Sequence, residues 1–234
     1  IMQPYFLPYI GYFQLIAAVD QFVIYDNIKY TKKGWINRNR FLQNGKAEVF
    51  SLPLQRDSDS LKICERSLVA NFDREKFLNK LKGAYRSAPN FDQTYTLIER
   101  VTWYPEQNLF LFLHNAILQT CAYLGITTKI LISSDIDIDH GLQGQNKVLA
   151  ICKTLGAKVY VNAVGGQALY SSRTFSDNGI ELKFLRPLTF EYLQYGGPFV
   201  PWLSIVDVMM FNSQLTVQQQ INSGYSFCTN EKIF

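Results

Sequence analysis

The sequence predicts an α/β fold: one domain over residues 1–234 with a mostly parallel sheet, a β-hairpin and a helical insertion at about residues 73–125. Three observations predict it. Strand, helix and strand patterns alternate in the first thirty residues and again over residues 129–162, and parallel pairing needs such crossover helices. Between those units, three stretches carry apolar residues at helical spacing. Asn44-Gly45 joins two extended runs, and both residues accept the positive φ of a type I′ hairpin turn.

Residues 1–16 open as the end of a buried strand, a loop stiffened by Pro4 and Pro8, and the first turns of a helix. Each proline fixes φ and removes a backbone donor, while Gly11 permits close approach or an unusual φ. The helix covers residues 9–19, and residues 22–25 form a short buried strand ending at Asp26. Hairpin arms follow over 35–42 and 46–52. Residues 55–60 are a polar connection and 61–69 a strand. Three helices come next: 73–87 capped by Asp73, 91–103, and 105–124 with Pro105 in its first turn and Gly125 past its end. A strand at 129–134, a helix at 145–155 stopped by Gly156, and a strand at 158–162 form the second unit. A strand at 180–185, a buried helix at 203–211 around Asp207, and a helix at 215–222 ended by Gly224 complete the chain.

The 234 residues are 47% hydrophobic and 18% charged, an ordinary globular composition. A net charge of +4 is mild, so anionic ligands must be met by local clusters, and nucleic acid is not the expected partner. Cys64, Cys121, Cys152 and Cys228 show no C-x-x-C spacing, which fits reduced thiols in a cytoplasmic protein. Neither a signal peptide nor a membrane span is legible. The first residue is Ile, so a few residues of the opening strand are expected upstream. Two histidines exclude a multi-histidine metal site, and no metal ligands are assigned. The acidic run Asp135-Ile136-Asp137-Ile138-Asp139-His140 reads as a solvated loop with inward isoleucines, a divalent cation being the competing reading.

Four constellations carry chemistry. The first is the opening loop with Gln3, Tyr9 and Tyr12, at a strand-to-helix junction where α/β proteins bind ligands. Its Tyr-Ile-Gly-Tyr ending resembles the position at which class I synthetase-like nucleotidyltransferases place His-x-Gly-His. Tyrosine lacks the positive charge, so the likeness implies a nucleotide-binding fold of that type more than retained adenylyl transfer. The second is the basic set Lys29, Lys32, Lys33, Trp35, Asn37, Arg38, Asn39 and Arg40, suited to a diphosphate and a stacked ring, or else a solvated hairpin. Strand alternation puts Trp35, Asn37 and Asn39 on one side and Arg38 and Arg40 on the other. The third is Asn162 with Gly165 and Gly166 after a strand, an amide and free N–H groups able to cradle an anion. The fourth is the apolar run at 201–212, where Asp207 needs a cation, Arg38 or Arg40 being the obvious one, or several donors, and Asn212 is a substrate-binding candidate.

Taken in order, Gln3-Pro4-Tyr5-Phe6-Leu7-Pro8-Tyr9-Ile10-Gly11-Tyr12, Trp35-Ile36-Asn37-Arg38-Asn39, Tyr160-Val161-Asn162 with Gly165-Gly166, and Leu203-Ser204-Ile205-Val206-Asp207 through Phe211-Asn212 resemble the WbqC-like family. That resemblance implies a bacterial protein associated with O-antigen and other surface polysaccharides, modifying a nucleotide-linked amino sugar by acyl or aminoacyl transfer. On that reading Lys33, Arg38 and Asn39 hold the diphosphate, Trp35 or Tyr12 stacks on a ring, and Asp26 or Asp207 is the general base. Two rivals stand beside it: a nucleotidyl or adenylyl transferase needing a nucleoside triphosphate with magnesium, and a non-catalytic component of glycan assembly.

Overall fold

The computed structural model describes residues 1–229. It is a mixed α/β fold with three small sheets, where one mostly parallel sheet was expected. In the first, β1 (Gln21–Ile24) pairs in parallel with β4 (Lys129–Ile132). In the second, β5 (Val159–Ala163) runs parallel to β6 (Glu181–Pro187), which pairs antiparallel with β7 (Tyr225–Cys228). The third is the hairpin of β2 (Arg38–Gln43) and β3 (Lys46–Ser51), antiparallel throughout. The opening segment explains why the two parallel pairs stay separate. It adds to β1 through a single bridge, Met2 to Ile24, with Met2 N–H donating to Val23 and Tyr25 N–H to Met2. Tyr160 of β5 directs its hydroxyl at the Ile1 carbonyl, and among the described residues no strand pairing joins β5 to that segment.

Eight helices occur among the described residues: α1 (Ile10–Ala17), α2 (Arg74–Tyr85), α3 (Phe91–Thr102), α4 (Leu109–Tyr123), α5 (Gly144–Thr154), α6 (Ser172–Asp177), α7 (Ile205–Phe211) and α8 (Gln214–Ser223). None is long and apolar enough to cross a membrane. The Asp73 carboxylate caps α2 by accepting the Lys76 N–H at 2.8 Å. Asn44 (φ 51°) and Gly45 (φ 72°) make the hairpin turn as expected. Two expectations fail for local reasons. Pro105 lies outside α4, because Glu106 takes the N–H groups of Gln107 and Asn108, and Asn108 caps the helix through Leu111 N–H. Residues 61–69 form no strand: Lys62 N–H turns to the Glu65 carboxylate at 2.7 Å and a short 3-10 turn, Ile63–Glu65, follows. The short strand β7 and the helix α6 were not foreseen.

One large core joins α1, the hairpin, α2 to α4, α7 and α8. A smaller one lies under α5, α6 and β5–β6. Buried Gln14 of α1 ties the first helix to the last, donating to the carbonyls of Gln220 and Gly224 at 2.9 Å. These contacts set α1 beside the end of α8 and fix where the opening loop lies.

Candidate functional site

Three of the four sequence constellations converge on the opening loop. Leu7, almost wholly buried, adopts φ 45°, a left-handed conformation that a side chain makes costly. The loop is held there by its neighbours. Asn39 Nδ2 donates to the carbonyls of Phe6 (3.3 Å) and Leu7 (2.8 Å), and Ser204 Oγ donates to Leu7 at 2.6 Å. Ile205 N–H donates to Pro8 and Phe6 N–H to Ile36. Asn39 and Ser204 therefore spend their hydrogen bonds on the loop backbone. Tyr12 is buried, its hydroxyl on the Gln3 carbonyl at 3.0 Å. Tyr9, at the helix start, stays half-exposed.

The basic set is arranged differently from strand alternation. Trp35 sits at a bend before β2, with the guanidinium groups of both Arg38 and Arg40 at 5.1 Å from its ring centroid. The expected split of Trp35 from these arginines fails because residue 35 is not in the strand. Arg38 further donates to the carbonyls of Gly34 (2.8 Å) and Lys33 (2.6 Å), closing the loop on itself. Asn37 donates to Leu52 and accepts from the Tyr30 hydroxyl. Lys33 remains exposed.

Asp207 is fully buried in α7, yet neither arginine meets it. Its carboxylate accepts from Tyr85 Oη, Tyr192 Oη and Gln194 Nε2, each at 2.7 Å. Three neutral donors thus satisfy the acid in place of a cation. Burial pushes its pKa above the ordinary range, and the three donors pull it back. Asn212 donates to the Val208 carbonyl at the helix end.

Asn162 is buried near the end of β5, its side-chain carbonyl taking the Ala163 N–H. Gly165 and Gly166 lie in a 3-10 segment, Val164–Leu169, and neither has positive φ. A Cβ on Gly166 would stand 3.0 Å from Asn162 Nδ2, so this glycine serves close packing.

The strongest polar cluster lies where β1 and β4 end. Asp26, 2% exposed, accepts from Ser133 Oγ (2.7 Å) and the Ser134 N–H (3.0 Å) through Oδ1. No described residue hydrogen bonds to Asp26 Oδ2. Lys147 of α5, only 3% exposed, donates to Asn27 Oδ1 at 3.0 Å and lies 5.1 Å from the Tyr25 ring. With its carbonyl on the ammonium, Asn27 turns its amide to His140 Nδ1 at 2.9 Å. Burial, then the nearby Lys62, lowers the Lys147 pKa. Parallel strands present ligand sites at their carboxyl ends, and this one joins a carboxylate, an amide and a weakened ammonium. Asp26 was legible as the residue ending a strand. Lys147, Asn27, Ser133 and His140 were not; the signal was Ser133-Ser134 directly after the strand at 129–132. Among the described residues no three His, Cys, Asp or Glu side chains gather as metal ligands. Asp135, Asp137 and Asp139 are exposed while Ile136 is buried.

Residues 3–219 match the WbqC-like protein family, nearly the whole chain. The chain belongs to the WbqC-like protein family. It is similar to the uncharacterized Mycobacterium tuberculosis protein Rv1507c, 29% identical over 216 residues that cover 91% of this chain and 92% of the relative. No solved structure matches this WbqC-like chain. The matched span takes in both the clamped opening loop and the Asp26–Lys147 cluster.

Proposed function

We propose that this WbqC-like protein is a cytoplasmic transferase that modifies a nucleotide-linked amino sugar by acyl or aminoacyl transfer in surface-polysaccharide (O-antigen) synthesis. The observation that carries the reading is buried Lys147 beside Asp26 at the carboxyl ends of two parallel strands. Buried lysines and carboxylates are costly unless they are paired, and buried polar clusters with a perturbed group such as Lys147 gather at reaction sites. Lys147, with the exposed Lys62 near it, supplies positive charge for a diphosphate. Asp26 Oδ2, without a donor among the described residues, takes the proton of the sugar amine as that amine attacks the acyl carbonyl. The C–N bond forms, the bond to the donor's leaving group breaks, and the amine proton passes to Asp26. Family membership supports the sugar setting.

The test is product formation. Purified protein with a UDP-linked amino sugar and either an acyl thioester or an aminoacyl ester should yield the acylated sugar nucleotide by mass spectrometry. Asp26→Asn should slow turnover by about 10²–10⁴-fold. No product from the wild type with either donor class would sink the proposal.

A further inference from the structure

We propose that the cleft between the opening loop and residues 187–203 is a saccharide site that receives a pyranose ring against Trp202. The cleft has a volume of about 550 Å³ and is walled by Tyr9, Pro187, Tyr192, Phe199 and Trp202, with Thr189 and Glu191 at its side. It shares no lining residue with the Asp26–Lys147 cluster, so it goes beyond the transferase reading and stands or falls separately.

Three observations carry it. Trp202 is 62% exposed although tryptophan ordinarily buries its large apolar surface, and its backbone sits at φ 60°. A bulky residue persists in that conformation only when surrounding structure over-determines it, and such outliers gather at ligand sites. Its ring meets Tyr9 edge-on, with centroids 6.0 Å apart and planes 60° apart, so the two aromatics form a corner and not a stack. Second, the polar groups at the cleft are unspent: the Tyr9 and Thr189 hydroxyls and the Glu191 carboxylate have no hydrogen-bond or ion-pair partner among the described residues.

Third, both walls are held before any ligand arrives. Asp207 takes the Tyr192 hydroxyl and the Gln194 amide, and Gln194 bonds the Val200 N–H at 2.7 Å and carbonyl at 3.2 Å, closing residues 194–200 into a fixed loop. On the other side a Cβ at Gly11 would overlap the Tyr9 ring and stand 2.7 Å from Pro187 Cγ, so glycine there seats the tyrosine.

An aromatic plane with free hydroxyls and one carboxylate beside it matches a pyranose, which offers a C–H face and a rim of hydroxyls. An acyl chain would leave Glu191 and both hydroxyls desolvated without partners. A phosphate would meet the Glu191 charge. An amino sugar gains from that carboxylate, and Asp207 acts here as a positioning residue through Tyr192 and Gln194.

The test uses the full chain and the methyl pyranosides of glucosamine and N-acetylglucosamine, followed by saturation-transfer NMR and tryptophan fluorescence. Decanoate and AMP serve as probes of the competing chemistries. Saturable transfer to the sugar ring protons is expected, weakened roughly tenfold or more by Trp202→Ala. Trp202 is exposed, so that variant should fold, as circular dichroism checks; Glu191→Gln, also exposed, is the second variant and should weaken glucosamine more than N-acetylglucosamine. Lys147→Met should leave this binding unchanged, which separates failure here from failure of the transferase reading. Absence of saturable sugar binding, binding indifferent to Trp202→Ala, or preferential binding of decanoate or AMP at the cleft would each overturn the proposal.

Discussion

Asp207 is the position where one side-chain truncation should have the largest readable effect. Asp207→Ala leaves three donors, Tyr85 Oη, Tyr192 Oη and Gln194 Nε2, without the carboxylate that each meets at 2.7 Å. Hydrogen bonds to a charged acceptor contribute about 1.5–3 kcal/mol each, and an orphaned buried donor costs about 1–3 kcal/mol. Tyr192 borders the cleft and can reach water on relaxing, whereas Tyr85 and Gln194 are buried. Weighting Tyr85 and Gln194 fully and Tyr192 partially gives about 5 kcal/mol of lost stability. That is a large share of the roughly 5–15 kcal/mol of a typical domain. Tyr85 also accepts the Leu42 N–H of β2 at 2.8 Å, so the loss should spread into the hairpin. Urea unfolding of wild type, Asp207→Ala, Tyr192→Phe and the double variant forms a closed cycle. The two single changes should couple by about 1 kcal/mol or more, since they share one bond. A loss under about 1 kcal/mol for Asp207→Ala, or strict additivity, would refute the hub.

Three further outcomes follow from the same contacts. Ser204→Ala removes a bond to the strained Leu7 carbonyl and the Oγ cap of α7, and should cost about 1–3 kcal/mol by thermal denaturation; an unchanged melting temperature would mean the loop is held elsewhere. Gly11→Ala should cost about 1–3 kcal/mol and swing Tyr9 outward, read as a perturbed tyrosine signal in near-ultraviolet circular dichroism. Burial lowers the Lys147 pKa from the ordinary 10.5, so the unfolded chain binds that proton more tightly and stability contributed by this group rises with pH. The rise spans the window from the lowered value up to 10.5, and the wild-type minus Lys147→Met stability difference should grow across it; a flat difference would mean that the ammonium is not desolvated.

Legibility tracked the locality of the cause. Asn44-Gly45 carries its turn in its own φ preferences, and it formed as expected. Gly125 and Gly156 end their helices in the left-handed conformation for the same reason. Pro105 misled because a carboxylate one residue on, Glu106, caps the backbone that the proline was expected to start. The strand expected at 61–69 has the apolar content but not the partner: it meets Lys29, Leu54 and Asn108 through single bridges from three different segments. At the site, sequence spacing found the segments but not their contacts. Asn39 was expected to hold a diphosphate and Ser204 carried no assignment, and their bonds go to a loop more than thirty residues from one and nearly two hundred from the other. Asp207 was known to need partners, yet Tyr85 and Gln194 are neutral side chains with no charge of their own to advertise them. Lys147 was invisible because a lysine one turn into a helix reads as solvated until tertiary packing buries it.

The most direct measurement is a calorimetric titration of a UDP-linked amino sugar into wild type and Lys147→Met, with folding of both checked by circular dichroism. The account predicts saturable binding by the wild type and a loss of roughly tenfold or more, about 1.4 kcal/mol, in the variant. Wild-type protein that takes up no such ligand, or a folded Lys147→Met that binds it equally well, would contradict the claim that the Asp26–Lys147 cluster is the site of reaction.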